Sequence, residues 1–283
     1  MGAAVSVDAH HHVWDLTVRD QDWIRGPELQ PLRRNFTVAD LEPEARAAGV
    51  DRTVLVQTIT VPEETPEFLA LAAAHDLIAG VVGWTDLTRP GIADELARLR
   101  ALPGGSYLKG IRHQVQGEPD PEWLLRPDVL RGLAAVADAG LVYDLVVQAH
   151  QLPACVAAAR ALPQLTFVLD HLGKPPIASG DRASWAAALR ALADLPNTVA
   201  KLSGLVTEAG PDTRNPAGLR PYVDIALDAF GPARLMTGSD WPVCTLAMSY
   251  TDVHALTREL TAGLGDADRT ALFETTATRV YDL

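Results

Sequence analysis

Short apolar runs recur along the chain, each followed by a polar or glycine-bearing stretch and then by a segment whose apolar residues fall three and four apart. The runs are Val5–His10, Arg52–Gln57, Ile78–Trp84, Leu108–His113, Val142–Gln148, Thr166–Asp170, Thr198–Ser203 and Arg234–Gly238. Most are continuously apolar rather than alternating, which is the pattern of parallel strands covered on both faces. The intervening Ala-, Leu- and Arg-rich stretches, among them Pro127–Ala139, Leu152–Ala161 and Trp185–Ala193, predict helices. A strand followed by a helix eight times over predicts an α/β fold of the (β/α)8, or TIM-barrel, type.

Loop lengths predict where such a barrel would carry its chemistry. Helix-to-strand connections are short and built of turn residues, as in Gly49-Val50-Asp51, Pro103-Gly104-Gly105 and Gly231-Pro232. The connections after strands 1, 4, 6, 7 and 8 are long, and the first, from Val13 to Thr37, carries Trp14, Trp23, Arg33 and Arg34. Long loops at the strand C-termini are what a barrel enzyme uses to build its mouth. No linker or charge run divides the chain, so residues 1–283 are expected to form one domain.

Composition narrows the picture. The 283 residues suit a barrel, which commonly takes about 250. With 24 basic against 36 acidic residues, the net charge of −12 opposes binding to nucleic acid or to an anionic membrane. Cys155 and Cys244 lie in a predicted helix and a loop and form no Cys-x-x-Cys pair, so neither a disulfide framework nor a thiolate zinc site is expected. No run reaches the roughly 20 apolar residues of a membrane helix, and no basic segment precedes an apolar core at the N-terminus. A soluble cytoplasmic protein is the expectation. Met1-Gly2 with Ser6 matches the bare N-myristoylation pattern, against which Val5–Val7 reads as the start of a buried strand.

The candidate chemistry sits at the predicted strand ends. Asp8-Ala9-His10-His11-His12 closes the first strand, where period two puts Asp8, His10 and His12 on one face and His11 on the other. Two imidazoles so spaced can converge on one ion, and zinc favours imidazole. His113, His150 and His171 also fall at or just beyond strand C-termini, whereas His75 and His254 lie in helical segments and read as surface or packing residues. After strand 6, His171 is followed by Leu172-Gly173-Lys174; Lys174 is in place to reach a carboxylate or lactone oxygen, or is a solvated loop lysine. Asp240 ends strand 8 as a metal ligand and general base, or as a helix N-cap. Arg112 on strand 4 either holds an anionic group or belongs to a buried Arg–Asp pair. Asp144 and His150 on strand 5 and Lys201 on strand 7 carry the same ambiguity. Neither a Gly-x-Ser-x-Gly elbow nor a phosphate-binding glycine loop is present.

Taken together, Asp8-Ala9-His10-His11-His12 with Trp14, Asp170-His171-Leu172-Gly173-Lys174-Pro175 and Gly238-Ser239-Asp240-Trp241-Pro242 resemble the amidohydrolase superfamily. More narrowly they resemble its amidohydrolase 2 branch of lactonases, which open sugar lactones such as L-fuconolactone and L-rhamnonolactone, or pyrone-dicarboxylate and muconolactone rings. The likeness spans the chain, including Leu108–Gln116 and Lys201–Ala209. It implies that His10 and His12 are the first-strand metal pair, His171 the sixth-strand histidine and Asp240 the aspartate that deprotonates the hydrolytic water. Arg112 and His113 would then face the substrate. Two-metal members carry a bridging carboxylate or carbamylated lysine on strand 4, where this chain has Arg112-His113, so one divalent ion or fewer is implied. The ion is dispensable in some lactonases of the branch.

The reading that results is lactone hydrolysis. Asp240 and His171 are the catalytic residues, Arg112, His113, His150, Lys174 and Lys201 contact substrate, and His10, His12 and Asp240 hold a single Zn2+. His113 or His150 supplies the leaving-group proton. The rivals are a metal-dependent non-oxidative decarboxylase of the same branch and a non-catalytic sugar-binding barrel. Asp144, Asp170 and Asp240 share a face with Arg112, Lys174 and Lys201, so charge complementarity favours a neutral sugar lactone over a dicarboxylate ring.

Overall fold

A computed structural model describes residues 6–283. Met1, Gly2 and Val5, on which the N-myristoylation pattern and the start of the first predicted strand rest, lie outside the described residues. The strands are β1 (Val7–His11), β2 (Arg52–Val56), β3 (Ile78–Gly83), β4 (Leu108–His113), β5 (Val142–Leu145), β6 (Phe167–Leu169), β7 (Thr198–Leu202) and β8 (Leu235–Thr237). They form one eight-stranded sheet in sequence order, each parallel to the next. The ring is completed beyond the end of β8. There His11 bridges Trp241, the Asp240 amide donates to the His10 carbonyl (2.8 Å), and the His12 amide donates to the Trp241 carbonyl (2.7 Å). The protein is a (β/α)8 barrel.

The helices between the strands are α1 (Val38–Ala48), α2 (Glu64–Ala74), α3 (Ile92–Arg100), α4 (Pro127–Asp138), α5 (Leu152–Ala161) and α6 (Ala183–Ala193). After β7 come the short α7 (Leu205–Glu208) and α8 (Pro216–Phe230), and after β8 come α9 (Tyr250–Leu260), α10 (Asp266–Thr270) and α11 (Thr276–Tyr281). Local signals set their ends. For α1, Thr37 and Asp40 form a reciprocal capping box and Gly49 closes the helix at φ 70°, a conformation that costs glycine nothing. Among the described residues no helix is long and apolar enough to cross a membrane.

Valines from every second position of the strands, including Val7, Val54, Val56, Val82, Val142, Val168 and Val199, fill the barrel interior. Their branched side chains suit the pleated wall, which is why the strands read as apolar runs. Ala277 and Tyr281 of α11 join this cluster and seal the lower end. The Tyr281 hydroxyl lies 2.9 and 2.8 Å from the two oxygens of Asp144. The predicted fifth strand is too long. Pairing with β4 and β6 stops at Leu145, and the apolar run continues only because Val146 and Val147 are buried past the ladder's end. An apolar cavity of about 680 Å³ between the first loop, α1 and α2 holds none of the strand-end histidines.

Candidate active site

At the C-terminal ends of β1, β6 and β8, three imidazoles and one carboxylate converge. The Nε2 atoms of His10 and His12 lie 3.2 Å apart, and Asp240 Oδ1 lies 3.7 Å from the first, 3.6 Å from the second and 3.8 Å from His171 Nε2. All four side chains are buried. The register slips between Asp8 and His11, so the face expected from strict alternation holds for His10 and His12 but not for Asp8. Asp8 instead turns toward α9, accepting hydrogen bonds from the Ser239 amide (2.8 Å), the Ser239 hydroxyl (2.6 Å) and the Tyr250 hydroxyl (3.0 Å). His254, read as a surface or packing residue, is buried 3.9 Å from the same carboxylate.

The backbone that presents these groups is strained where they sit. Asp240 has φ 60°, and His171, Leu172 and Lys174 have φ 54°, 51° and 53° with Gly173 at 68° between them. Left-handed non-glycine residues each cost about 1–3 kcal/mol and persist where surrounding contacts over-determine them. Here the Lys174 amide donates to the His171 carbonyl (2.9 Å), and buried Trp185 donates its indole N–H to the Leu172 carbonyl (2.8 Å). His171 is also wedged by Gly204, where a Cβ would come 2.6 Å from Nδ1 and φ is 66°. Gly204→Ala is therefore expected to displace the ring and lower kcat by about 10²-fold, against a stability loss of only about 1–2 kcal/mol. An unchanged kcat in the folded variant would show that Gly204 does not set the ring's place.

Protonation states follow from burial and charge. Burial pushes the Asp240 carboxyl up, but the imidazoles of His171 and His12 outweigh it and hold the group below the usual carboxylate range, hence ionised. Burial lowers the His10 imidazole well below its ordinary value and brings His11 and His171 down to about 4. In the unfolded chain each histidine titrates near about 6.5, so on acidification the unfolded state binds protons first and stability is lost between there and pH 4. Burial of Glu64, pushed up to about 7, and of Asp144, pushed up to about 6, opposes this with one proton each. Three histidines outweigh these two carboxyls, and chelator-treated protein is expected to lose about 1–3 kcal/mol between pH 7 and pH 5 by denaturant unfolding. Stability that stayed level or rose over that range would contradict the assignment of neutral buried imidazoles.

The donor set fits a zinc ion. Ligands about 2.0–2.1 Å from a tetrahedral metal stand roughly 3.3 Å from one another, and the His10, His12 and Asp240 atoms stand 3.2–3.7 Å apart. The His12 Nδ1 faces the Val56 carbonyl at 2.8 Å, which makes Nδ1 the protonated nitrogen and leaves Nε2 a lone pair. His10 Nδ1 stands between the Asp170 carboxylate and the Lys201 ammonium, each at 3.2 Å, which fixes the ring with its Nε2 toward His12. The His12 Nε2 lone pair and the Asp240 carboxylate, enclosed together beside that nitrogen, suit a cation. A second group of donors, His10, Asp170 and His171, is compromised, since Lys201 and Arg112 already occupy the two Asp170 oxygens at 3.0 and 2.9 Å.

The remaining expected contacts divide sharply. Arg112 is a buried Arg–Asp partner and also reaches the mouth: Nε donates to Gln57 Oε1 (2.9 Å), Nη2 to the Gln57 carbonyl and Nη1 to Asp170, and Nη1 lies 3.4 Å from His10 Nε2. Lys174 lines the mouth, beside Glu208. Lys201 does not face substrate. It is fully buried below the imidazoles, paired with Asp144, 3.0 Å from Asp170 and 3.2 Å from His10 Nδ1, so it holds the cluster from beneath. His113 is turned away as well: it stacks on Trp123 at 4.3 Å, its Nδ1 accepts from the Trp84 indole (3.0 Å) and its Nε2 meets Glu118 (2.8 Å). His150 is exposed on the turn after β5 and does not line the mouth. Neither histidine is placed to protonate a leaving group. The Asp240 carboxylate is not an N-cap, since the turn that follows, Val243–Leu246, has no side-chain cap.

The mouth itself is a cavity of about 410 Å³, within the range of small-ligand sites. Besides His12, Arg112, His171, Lys174 and Asp240, it is lined by Trp23, Thr58, Gln114, Gln116, Thr207 and Glu208. Of these, Trp23 lies on the long first loop, while the two glutamines and Glu208 lie just past β4 and β7 in segments without periodicity, and their only sequence signal was position after a strand end.

A barrel whose mouth joins an HxH pair on β1, a histidine after β6 and an aspartate after β8 defines a class, and the chain matches the amidohydrolase family over residues 7–283 and belongs to it. It is similar to the L-fucono-1,5-lactonase of Burkholderia multivorans, with 41% identity over 99% of this chain and 97% of that one. It is also similar to the L-fucono-1,5-lactonase of Burkholderia ambifaria, with 41% identity over 88% and 84% of the two chains. A crystal structure of a Burkholderia multivorans amidohydrolase with bound zinc superposes with a TM-score of 0.92 at 40% identity, covering 99% of this chain and 100% of that one.

Proposed function

We propose that this chain hydrolyses a small lactone, with neutral sugar-acid lactones as its substrate class. The observation that carries the reading is an ionised, buried carboxylate, Asp240, facing three imidazoles at the floor of an open mouth. A binding barrel for neutral sugars needs no such base. The relatives named as L-fucono-1,5-lactonases support the substrate class. A place in sugar-acid metabolism in the cytoplasm belongs to the same proposal, since two free buried thiols suit a reducing compartment.

In this mechanism the lactone carbonyl lies against His171 and Arg112. Asp240 takes a proton from water as the water oxygen attacks the carbonyl carbon, and the oxyanion that forms faces the Arg112 guanidinium and the His171 ring. The ring C–O bond then breaks, and the leaving alkoxide takes its proton back from Asp240, the acid nearest the reacting atoms once His113 and His150 are excluded by position. His10, His12 and Asp240 would hold a zinc ion, which when bound supplies a Lewis acid for the carbonyl oxygen.

The test is acid release from a panel of sugar lactones in weakly buffered indicator, with and without chelator, alongside elemental analysis. Acid release from at least one sugar lactone is expected, together with about one divalent ion or fewer per chain. Carbon dioxide release without acid would replace this reading with decarboxylation. Two equivalents of metal would contradict the occupation of Asp170 by Arg112 and Lys201.

A further inference from the structure

Lys174 and Glu208 face each other in the mouth from different loops, and the chemistry above uses neither. Lys174 Nζ lies 3.9 Å from Glu208 Oε1, attracted but beyond hydrogen-bond range. Among the described residues neither the ammonium nor the carboxylate makes a hydrogen bond, although their side chains are only 19% and 29% exposed. This sets them apart from Arg112, Lys201, Asp144 and Asp170, whose charges are matched at 3.0 Å or less. The neighbouring Gln116 Oε1 is buried without a partner. All three line the same cavity, and they adjoin the reaction centre: Lys174 follows His171 by three residues, and Glu208 follows Gly204, which abuts the His171 ring.

We propose that Lys174, Glu208 and Gln116 form a subsite for vicinal hydroxyls of a polyhydroxylated lactone. The inference rests on the lactonase reading and specifies what that site selects. A vicinal diol offers two O–H donors and two oxygen acceptors. Glu208 accepts the donors, Lys174 donates to the oxygens, and Gln116 Oε1 accepts from a third hydroxyl. An unsubstituted ring would leave these half-buried groups without partners, and a ring carboxylate would meet Glu208 as a like charge. The subsite therefore admits sugar lactones and selects against both alternatives.

The experiment compares kcat/KM for a hexono-1,5-lactone with that for δ-valerolactone in the wild type, Glu208→Gln, Glu208→Ala and Lys174→Met. The preference for the hydroxylated ring is expected to fall about 10- to 100-fold in Glu208→Ala, with Glu208→Gln intermediate and Lys174→Met affected in the same sense. An unchanged preference, or an equal loss on both lactones, overturns the subsite. Calorimetric binding of a hexono-δ-lactam and of δ-valerolactam gives a second readout that needs no turnover. If the wild type opened neither lactone, the lactonase reading would fail on its own, while loss of the lactam preference in Glu208→Ala would still support the subsite and its persistence would overturn it.

Discussion

Asp240→Asn is expected to lower kcat by about 10²–10⁴-fold while leaving the fold and ligand binding nearly intact. Asparagine matches aspartate in size and is among the few residues that tolerate the left-handed conformation Asp240 adopts, φ 60°. Its amide keeps a hydrogen-bonding oxygen toward the imidazoles but cannot take a proton from water. No capping role is lost with the charge, because the following turn has no side-chain cap and the backbone bonds of residue 240, from its amide to His10 and from Cys244 to its carbonyl, are untouched. Steady-state kinetics and lactam affinity measured on the same preparation decide it. A variant with near-native kcat would remove Asp240 from the chemistry altogether.

The second large effect concerns stability. Lys201→Met is expected to cost about 3–5 kcal/mol, because it leaves two buried carboxylates facing each other without their shared cation. Asp144 and Asp170 both lie within 3.0 Å of the Lys201 ammonium, and all three side chains are fully enclosed. Methionine fills the volume, so the loss is one of charge balance rather than packing. Pairing Lys201→Met with Asp144→Asn removes one of the stranded charges and should recover part of the loss, which equilibrium denaturation of the single and double variants measures. Losses that simply add would show that the lysine and Asp144 do not act as a pair.

How much of this was legible in the sequence depended on what the information was about. Strand positions were readable because barrel strands, valine-filled within and helix-covered without, must be apolar throughout; seven of the eight end within one residue of the expected position, and only β5 runs short. The histidines at strand ends were readable because a barrel gathers those ends on one face. Direction was not readable. Asp8 was assigned to the face of His10 and His12, and a one-residue slip turned it outward. His113 follows the right strand, but Trp123 and Trp84, distant in sequence, hold its ring elsewhere. Lys201 was read as a substrate contact, with a buried ion pair as the alternative, and it is the alternative that the fold adopts, because a pair of aspartates on other strands matches its charge, one of them anchored by Tyr281 from the far end of the chain. Glu208 went unnoticed because α7 is four residues long and shows no period to read.

The ring of strands has one weak joint, where the last meets the first. Elsewhere neighbours are laced by a ladder, but β8 and β1 are fastened beyond the strand end by one bridge and a pair of backbone bonds, with the Asp8 carboxylate as a clasp on the outside. The reacting groups straddle this joint: His10 and His12 belong to one lip and Asp240 to the other. A breathing motion that parted the lips would separate the base from His10 and His12 and leave it beside His171, with every other strand pairing intact. The hydrolytic geometry is thus tied to the one joint of the barrel without a ladder, and activity is expected to be lost through local opening there before the fold unfolds.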